Sequence, residues 1–389
     1  MKLKAFSKIS QISLAISTSL IVAFTASQAF GLVHNLKSVL EQDGSPGIVL
    51  RNWGLDNDED NSHINARKAW SLTKGKKSIV VAVIDTGIDA THPDLKDNLW
   101  HKPGSNEYGF DFVTNKANPE DHHGHGTHVA GIIGATAKAN AGASGVAPNI
   151  SIMAVRYYSD SASGAENLSN TIKALNYAVD NGANIINYSG GGAEFSAAEK
   201  KAIERAEAKG ILVVAAAGNE YENTDENGNT YYPAGYGLTN IISVAATNIH
   251  NKLLPSSNWG MKHVHVAAPG ENIYSTLPKG HYGYLTGTSQ ATAFVSGLAA
   301  LILSENPKLK PTQVREIVMQ SVDKLTTLES KIASGGRINA YKAVRLALAS
   351  KDGLKSSKVL AAKEANLELS DEEKTTERLS KLSRDVAFH

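Results

Sequence analysis

The chain has 389 residues, 42% of them hydrophobic, with 33 glycines, 11 prolines, no cysteine and a formal net charge of +1. That length and apolar content support one large globular domain with extras and exclude a disordered or fibrous protein. The near-neutral charge, with no long basic run, excludes an electrostatic footprint for nucleic acid, and the lack of cysteine excludes disulfides, thiol catalysis and thiolate metal sites.

In chain order, Lys2, Lys4 and Lys8 precede an apolar, hydroxyl-rich stretch over 12–24, and Ser27-Gln28-Ala29 follows. This is the layout of a secretory signal peptide over 1–29, with cleavage after Ala29. Ser13, Ser17, Thr18 and Ser19 interrupt the stretch, whereas a membrane anchor needs about 20 mainly apolar residues. The expected location is therefore secreted or periplasmic, with no stable membrane anchor after signal removal. Residues 30–52 form a short N-terminal segment of weak pattern, and Asp56-Asn57-Asp58-Glu59-Asp60-Asn61 reads as a solvated acidic loop.

From Ser78 the texture changes. Apolar runs of strand length over 79–84, 150–155, 184–188, 211–215 and 241–245 alternate with segments of helical period. Ile172, Leu175 and Val179 repeat at helix spacing before Asp180-Asn181-Gly182 closes the helix, and a second helix over 197–208 ends at Gly210. Strands that are apolar throughout need helices on both faces. The predicted fold over 53–349 is therefore α/β, a doubly wound, mainly parallel β-sheet flanked by helices. Short helices over 311–321 and 339–349 pack on this body, and 350–389 is a Lys/Glu-rich tail predicted to be flexible or partly helical.

Three segments place a reactive residue where a strand hands over to a loop or helix. Val83-Ile84-Asp85-Thr86-Gly87-Ile88-Asp89 ends an apolar strand in a carboxylate that can accept the Nδ1 proton of a histidine. Asp-Thr-Gly also serves aspartic peptidases, which need two such loops, and no second copy exists here. His125-Gly126-Thr127-His128-Val129-Ala130-Gly131 offers a base flanked by glycines. His122, His123, His125 and His128 beside Asp121 also admit a metal reading, although no His-Glu-x-x-His pattern is present. Gly287-Thr288-Ser289-Gln290-Ala291-Thr292-Ala293 runs into an apolar helix over 294–303, so Ser289 is either a helix cap or a nucleophile beside the positive end of a helix dipole.

In the order Asp, His, Ser, these blocks resemble the motifs of the subtilisin-like serine peptidases (subtilases, peptidase family S8), and the similarity runs over about 53–349. It extends to Gly145-Val146-Ala147-Pro148, Tyr232-Pro233-Ala234 and Val266-Ala267-Ala268-Pro269-Gly270. The resemblance implies a serine endopeptidase with Asp85 as orienting carboxylate, His125 as general base then acid, and Ser289 as nucleophile. Ala215-Ala216-Ala217-Gly218-Asn219 resembles the segment carrying the family's oxyanion-hole asparagine, which makes Asn219 the fourth catalytic residue. Asn187-Tyr188-Ser189-Gly190-Gly191-Gly192 is similar to the strand and glycine stretch lining the first specificity pocket. Ser189, Gly190 and Gly191 are thereby substrate-binding residues, and main-chain pairing there implies broad specificity.

The chain departs from the family pattern in several places. Tyr231 stands where many relatives have a glycine at the pocket floor. Glu220, Glu222, Asp225 and Glu226 share a loop that could favour basic side chains or serve as a solvated or calcium-binding loop. Gln290, Ala293 and Phe294 replace the usual methionine, proline and histidine. Asp94, in His92-Pro93-Asp94-Leu95, occupies the position of a calcium-ligand aspartate, but the partner loop Lys138-Ala139-Asn140-Ala141-Gly142 lacks the usual side-chain oxygens. Implied partners are protein or peptide substrates, with no nucleic acid and the chain acting as a monomer. No cofactor is required for the chemistry, and Asp94 is the candidate ligand of a structural calcium. Two alternatives are a processing peptidase selective for basic sites and a catalytically silent binding protein of the same fold. The silent form typically loses a triad or oxyanion residue, and Asp85, His125, Asn219 and Ser289 are all present.

Overall fold

A computed structural model describes residues 52–55, 61–138 and 142–351, all within a unit that begins at Leu50. The expectations for 1–29, for 30–51, for the acidic run at 56–60 and for the tail beyond Lys351 lie outside the described residues. Among the described residues, no helix is long and apolar enough to cross a membrane.

After a short helix α1 (Ala66–Trp70), the chain enters β1 (Val80–Asp85) at the middle of a ten-stranded sheet. On one side lie β4 (Ser151–Arg156), β2 (Gly109–Asp111) and β3 (Lys116–Ala117). On the other lie, in order, β5 (Ile185–Tyr188), β6 (Leu212–Ala216), β7 (Ile241–Thr247), β8 (Val266–Pro269), β12 (Gly336–Arg337) and β11 (Asp323–Lys324). Pairing is parallel except at the two edges, β2 with β3 and β11 with β12. The doubly wound α/β sheet inferred from the apolar runs is thus the fold observed.

Alternation along each strand feeds two cores. Val81 and Val83 of β1 face one layer with α2 (His125–Gly134), α5 (Thr288–Glu305), α6 (Pro311–Gln320) and α7 (Ala340–Lys351). Ala82 and Ile84 face the opposite layer with α3 (Gly164–Asp180) and α4 (Ala197–Ala208). This two-sided burial explains why the strands read as unbroken apolar runs. Helix α5 is buried from Thr288 to Ser304, as expected of a helix that is apolar or small on every side. Close approach requires glycine at its middle, since a β-carbon at Gly297 would lie 2.6 Å from Val146 Cβ. Phe294 is fully buried, and an aromatic side chain in that state contributes about 1.5–3 kcal/mol.

Several boundaries differ from the periodicity. Helix α3 starts eight residues before Ile172, at Gly164, because Ser163 and Glu166 form a reciprocal capping box. Helix α5 starts at Thr288, not Phe294, because its first turn is small and polar. Helix α7 runs to Lys351, past the composition change at 350. Strands β8, β9 (Ile273–Leu277) and β10 (His281–Leu285) carried no strong periodic signal, and the last two form a separate antiparallel hairpin.

Candidate active site

Asp85, Ser189 and Asn219 all lie at or just past the C-terminal ends of neighbouring parallel strands, β1, β5 and β6. This is the edge where open α/β sheets place ligands, near the point where strand order reverses. Asp85 is buried, and its Oδ1 accepts from Thr86 N at 2.8 Å and pairs with His125 Nδ1 at 2.7 Å. With the carboxylate as acceptor, the proton resides on Nδ1 and leaves Nε2 as the free ring nitrogen.

His125 is the first residue of α2, and glycines allow the helix to start there. Gly124 adopts φ 103°, and a β-carbon at Gly126 would lie 2.2 Å from Gly87 O. Asp121 organises the turn: Oδ1 accepts from Thr86 Oγ1 at 2.9 Å, His123 N at 2.9 Å and Gly124 N at 2.8 Å. Its Oδ2 accepts from Thr127 N at 2.9 Å and Thr127 Oγ1 at 2.6 Å. Asp121 therefore caps α2, where a carboxylate is favoured by the exposed amides and the helix dipole. Thr86 Oγ1 in turn accepts from Gly126 N at 2.9 Å, joining the Asp85 loop to the His125 helix.

Burial alone would depress the His125 pKa, but the Asp85 charge, the Asp85 hydrogen bond and the Asp121 charge outweigh it and hold the imidazole above its ordinary range. His128 is different. It is fully buried with Nε2 at 3.0 Å from Ile273 O and 3.2 Å from Gly283 O, and burial drives its pKa down to about 3. The β9–β10 hairpin braces α2 further, with Ser275 Oγ donating to His128 O and Thr276 Oγ1 to Thr127 O, both at 2.7 Å. The metal reading of the histidine cluster fails on this geometry: Asp121 is spent on capping, His128 points into the hairpin, and His122 and His123 are exposed. Among the described residues, no three His, Asp or Glu side chains converge as metal ligands.

Ser289 is the second residue of α5 and nearly buried. Its Oγ donates to Ser189 O at 3.0 Å, and Ser189 Oγ donates to Ser289 O at 3.3 Å. Asn187 ties β5 to α5, giving Nδ2 to Ser189 Oγ at 3.0 Å and accepting from Ser296 Oγ at 2.8 Å. Asn219 Oδ1 accepts from Thr288 N at 3.0 Å and Thr288 Oγ1 at 3.2 Å. That contact holds the amide of an exposed residue through its oxygen. Gln290, one residue on, is buried.

At the pocket, Tyr231 reaches both walls. A β-carbon at Gly191 would lie 2.5 Å from Tyr231 Cε1, and one at Gly218 would lie 2.9 Å from Tyr231 Cδ2. A β-carbon at Gly190 would lie 2.2 Å from Tyr157 Oη. Glu220 of the acidic loop lies against this wall, its Oε2 accepting from Asn258 Nδ2 at 2.6 Å and standing 2.4 Å from a β-carbon placed on Gly218. Asp225 accepts from Lys262 N at 2.9 Å, tying the loop to a distant segment, and Glu226 accepts from Asn223 Nδ2 at 3.1 Å within the loop.

Asp94 is fully buried and lies away from these residues in the fold's first layer. Its Oδ1 accepts from Lys138 N at 2.7 Å, and its Oδ2 accepts from Ala143 N at 2.9 Å and Tyr282 Oη at 2.8 Å. Three hydrogen-bond donors are thus directed at the carboxylate. Residues 139–141 of the loop lie outside the described residues.

Sequence reading missed Thr86, Asp121 and Asn187 as site residues. Thr86 was in plain view within Asp-Thr-Gly, and Asp121 beside the histidines.

The chain is similar in sequence to known serine peptidases. Residues 76–338 match the model of the subtilase family of S8 peptidases. A thermophilic serine proteinase of Bacillus sp. (strain AK1) is 41% identical over 276 residues, covering 71% of this chain and 64% of that protein. Thermitase of Thermoactinomyces vulgaris is 39% identical over 282 residues, covering 72% of this chain and 94% of thermitase. The crystal structure of a cold-adapted subtilisin-like serine proteinase superposes with a TM-score of 0.57 at 31% identity, over 66% of this chain and 88% of that one. The chain belongs to the subtilase family of serine peptidases.

Proposed function

We propose that the chain is an exported serine endopeptidase that cleaves proteins through an acyl-enzyme, with Asp85, His125 and Ser289 as triad and Asn219 as oxyanion donor. The observation that carries this reading is the 2.7 Å pair between Asp85 and His125 Nδ1 at the sheet edge where Ser289 Oγ is bonded to Ser189 O and Asn219 Oδ1 to Thr288 N. In the reaction, Ser289 Oγ leaves Ser189 O, gives its proton to His125 Nε2 and bonds to the scissile carbonyl carbon. The carbonyl oxygen becomes an oxyanion that receives hydrogen bonds from Asn219 Nδ2 and Ser289 N, donors that are preorganised and bind the intermediate better than the substrate. His125 returns the proton to the leaving amine, the C–N bond breaks, and water deacylates the enzyme by the same steps in reverse. Asp85 stays ionised and stabilises the imidazolium. Incubation with casein tests the reading: internal cleavage that a serine-directed covalent inhibitor abolishes is expected, and intact casein would point to a catalytically silent binding protein.

Main-chain pairing along Ser189, Gly190 and Gly191 accepts many sequences, while the Tyr231 ring, set between Gly191 and Gly218, narrows the first-position pocket. Tyr231→Gly is therefore expected to raise kcat/KM for peptides with Phe at the first position by about tenfold or more relative to Ala, measured on a fluorogenic series. An unchanged ratio would contradict the pocket assignment. A Lys peptide in the same series tests selectivity for basic sites, for which Glu220 beside Gly218 is the supporting feature.

Export by residues 1–29 and action as a monomer complete the proposal. The chemistry asks for no cofactor, and Asp94 is read as a hydrogen-bonded clamp. A chelator is then expected to leave Tm unchanged, whereas a fall in Tm reversed by calcium would put an ion in the fold.

A further inference from the structure

Glutamate is rarely buried without a cation partner, yet Glu199 of α4 is only 3% exposed and no lysine, arginine or histidine bridges it among the described residues. Its local sequence explains why it would be expected outside. Ser196 and Glu199 form the same Ser-x-x-Glu pattern as Ser163 and Glu166, and Ser196 Oγ does cap Glu199 N at 3.2 Å. Glu166 completes its box by turning back to Ser163 N at 2.8 Å and stays exposed. Glu199 does not. Tyr236 Oη takes its place against Ser196 N at 3.2 Å, and the Glu199 carboxylate turns inward.

There it meets two phenols. Oε1 accepts from Tyr188 Oη at 3.1 Å and Oε2 from Tyr236 Oη at 2.6 Å. Tyr188 ends β5 and directly precedes Ser189, whose carbonyl holds the Ser289 hydroxyl. Tyr236 closes the turn that begins with Tyr231 and Tyr232, and the Tyr232 backbone pairs with Gly192 through bonds of 2.8 and 3.0 Å. The carboxylate thus joins the two segments that frame the pocket from behind. The space is otherwise aromatic: Tyr157 packs edge-on to Tyr188 with ring centres 5.8 Å apart. A buried carboxylate held only by phenols is costly compared with an apolar side chain of similar size, and burial raises its pKa despite the bonds from Tyr236 and Tyr188. Stability alone gives no reason for a glutamate here, whereas fixed geometry between two walls does.

We propose that Glu199 is a positioning residue: bridging the Tyr188 and Tyr236 hydroxyls, it sets the separation of the Ser189–Gly191 edge from the Tyr231 segment and so controls which first-position side chains are accepted. The proposal rests on the peptidase reading above. It is tested with Glu199→Leu, Glu199→Gln and the pair Tyr188→Phe with Tyr236→Phe in the full chain. Active sites are counted by burst titration with a small ester, and kcat and KM are then measured on peptides with Ala, Val or Phe at the first position. The Leu variant and the double Phe variant are expected to change the Phe-to-Ala selectivity ratio by about tenfold, mainly through KM. Glu199→Gln, which retains one acceptor and one donor, keeps the wild-type ratio. Where the Leu variant does not fold, the paired Tyr→Phe variant, which removes only two hydroxyls, carries the test. Unchanged selectivity in that pair, whatever its Tm, would overturn the proposal. A wild type that gives no burst and no hydrolysis would overturn the peptidase reading and the proposal with it.

Discussion

Ser289→Ala is expected to lower kcat by about 10⁶-fold, the size of loss known for removal of the nucleophile in a subtilisin, while leaving the fold intact. Ser289 sits in the first turn of α5, and the hydroxyl it would lose makes one hydrogen bond, to Ser189 O at 3.0 Å. A single bond of that kind contributes about 0.5–1.5 kcal/mol, which shifts Tm slightly and cannot account for a loss of activity of that size. The residual rate would come from the oxyanion donors and substrate binding, which the substitution leaves in place. Measurement of single-turnover peptide hydrolysis together with Tm separates the two effects. A variant retaining more than about a tenth of wild-type activity would be incompatible with an acyl-enzyme at this residue.

Asp85→Asn is expected to reduce kcat by about 10⁴-fold, the cost of losing the orienting carboxylate in a serine peptidase, and to move the acid limb of the pH–rate profile downward. The sign follows from the forces on His125. Burial depresses its pKa, and the Asp85 charge, the Asp85 hydrogen bond and the Asp121 charge overcome that depression. The base works only when neutral, so wild-type activity should rise with pH through a midpoint above the ordinary imidazole value of about 6.5. With Asp85 neutralised, burial is opposed by Asp121 alone and the midpoint falls. His128, with a pKa near 3, and His265, near 4, remain neutral throughout that range and do not contribute to the limb. Profiles of kcat/KM for both proteins read the shift directly, and an upward or absent shift would show that Asp85 does not govern the base.

Much of this site was legible in the sequence because its carriers are local. Asp85, His125 and Ser289 each sit in a short glycine-bearing segment at a strand or helix end, where residue type and turn chemistry announce a functional position. The two-sided sheet was legible for a similar reason: apolar runs such as 211–215 and 241–245 leave no polar face to expose. What remained hidden depends on long-range contacts. Asn219 is oriented by Thr288, 69 residues away, and the hairpin bonds to α2 from Ser275 and Thr276 span 147 and 149 residues. No period in the chain encodes such pairs. Asp121 misled in another way, since a carboxylate among four histidines suggests a ligand until the helix start that it caps is seen. Glu199 shows a local rule overridden by tertiary structure: its capping-box pattern is present, but Tyr236 supplies the partner for Ser196 and frees the carboxylate to turn inward.

The resemblance raised a calcium ligand at Asp94, whose carboxylate accepts from Lys138 N, Ala143 N and Tyr282 Oη. Tyr282 comes from β10, so the hairpin that braces the His125 helix also holds this carboxylate. One hairpin thereby supports both the base and the neighbouring loop.

The most direct test is to react the wild-type protein with a fluorophosphonate and map the adduct by peptide mass spectrometry. The account predicts one adduct per chain, on Ser289, formed in step with loss of peptide hydrolysis and strongly slowed in His125→Ala. Hydrolysis that persists without modification of Ser289, or an adduct on another residue that tracks the loss, would contradict it.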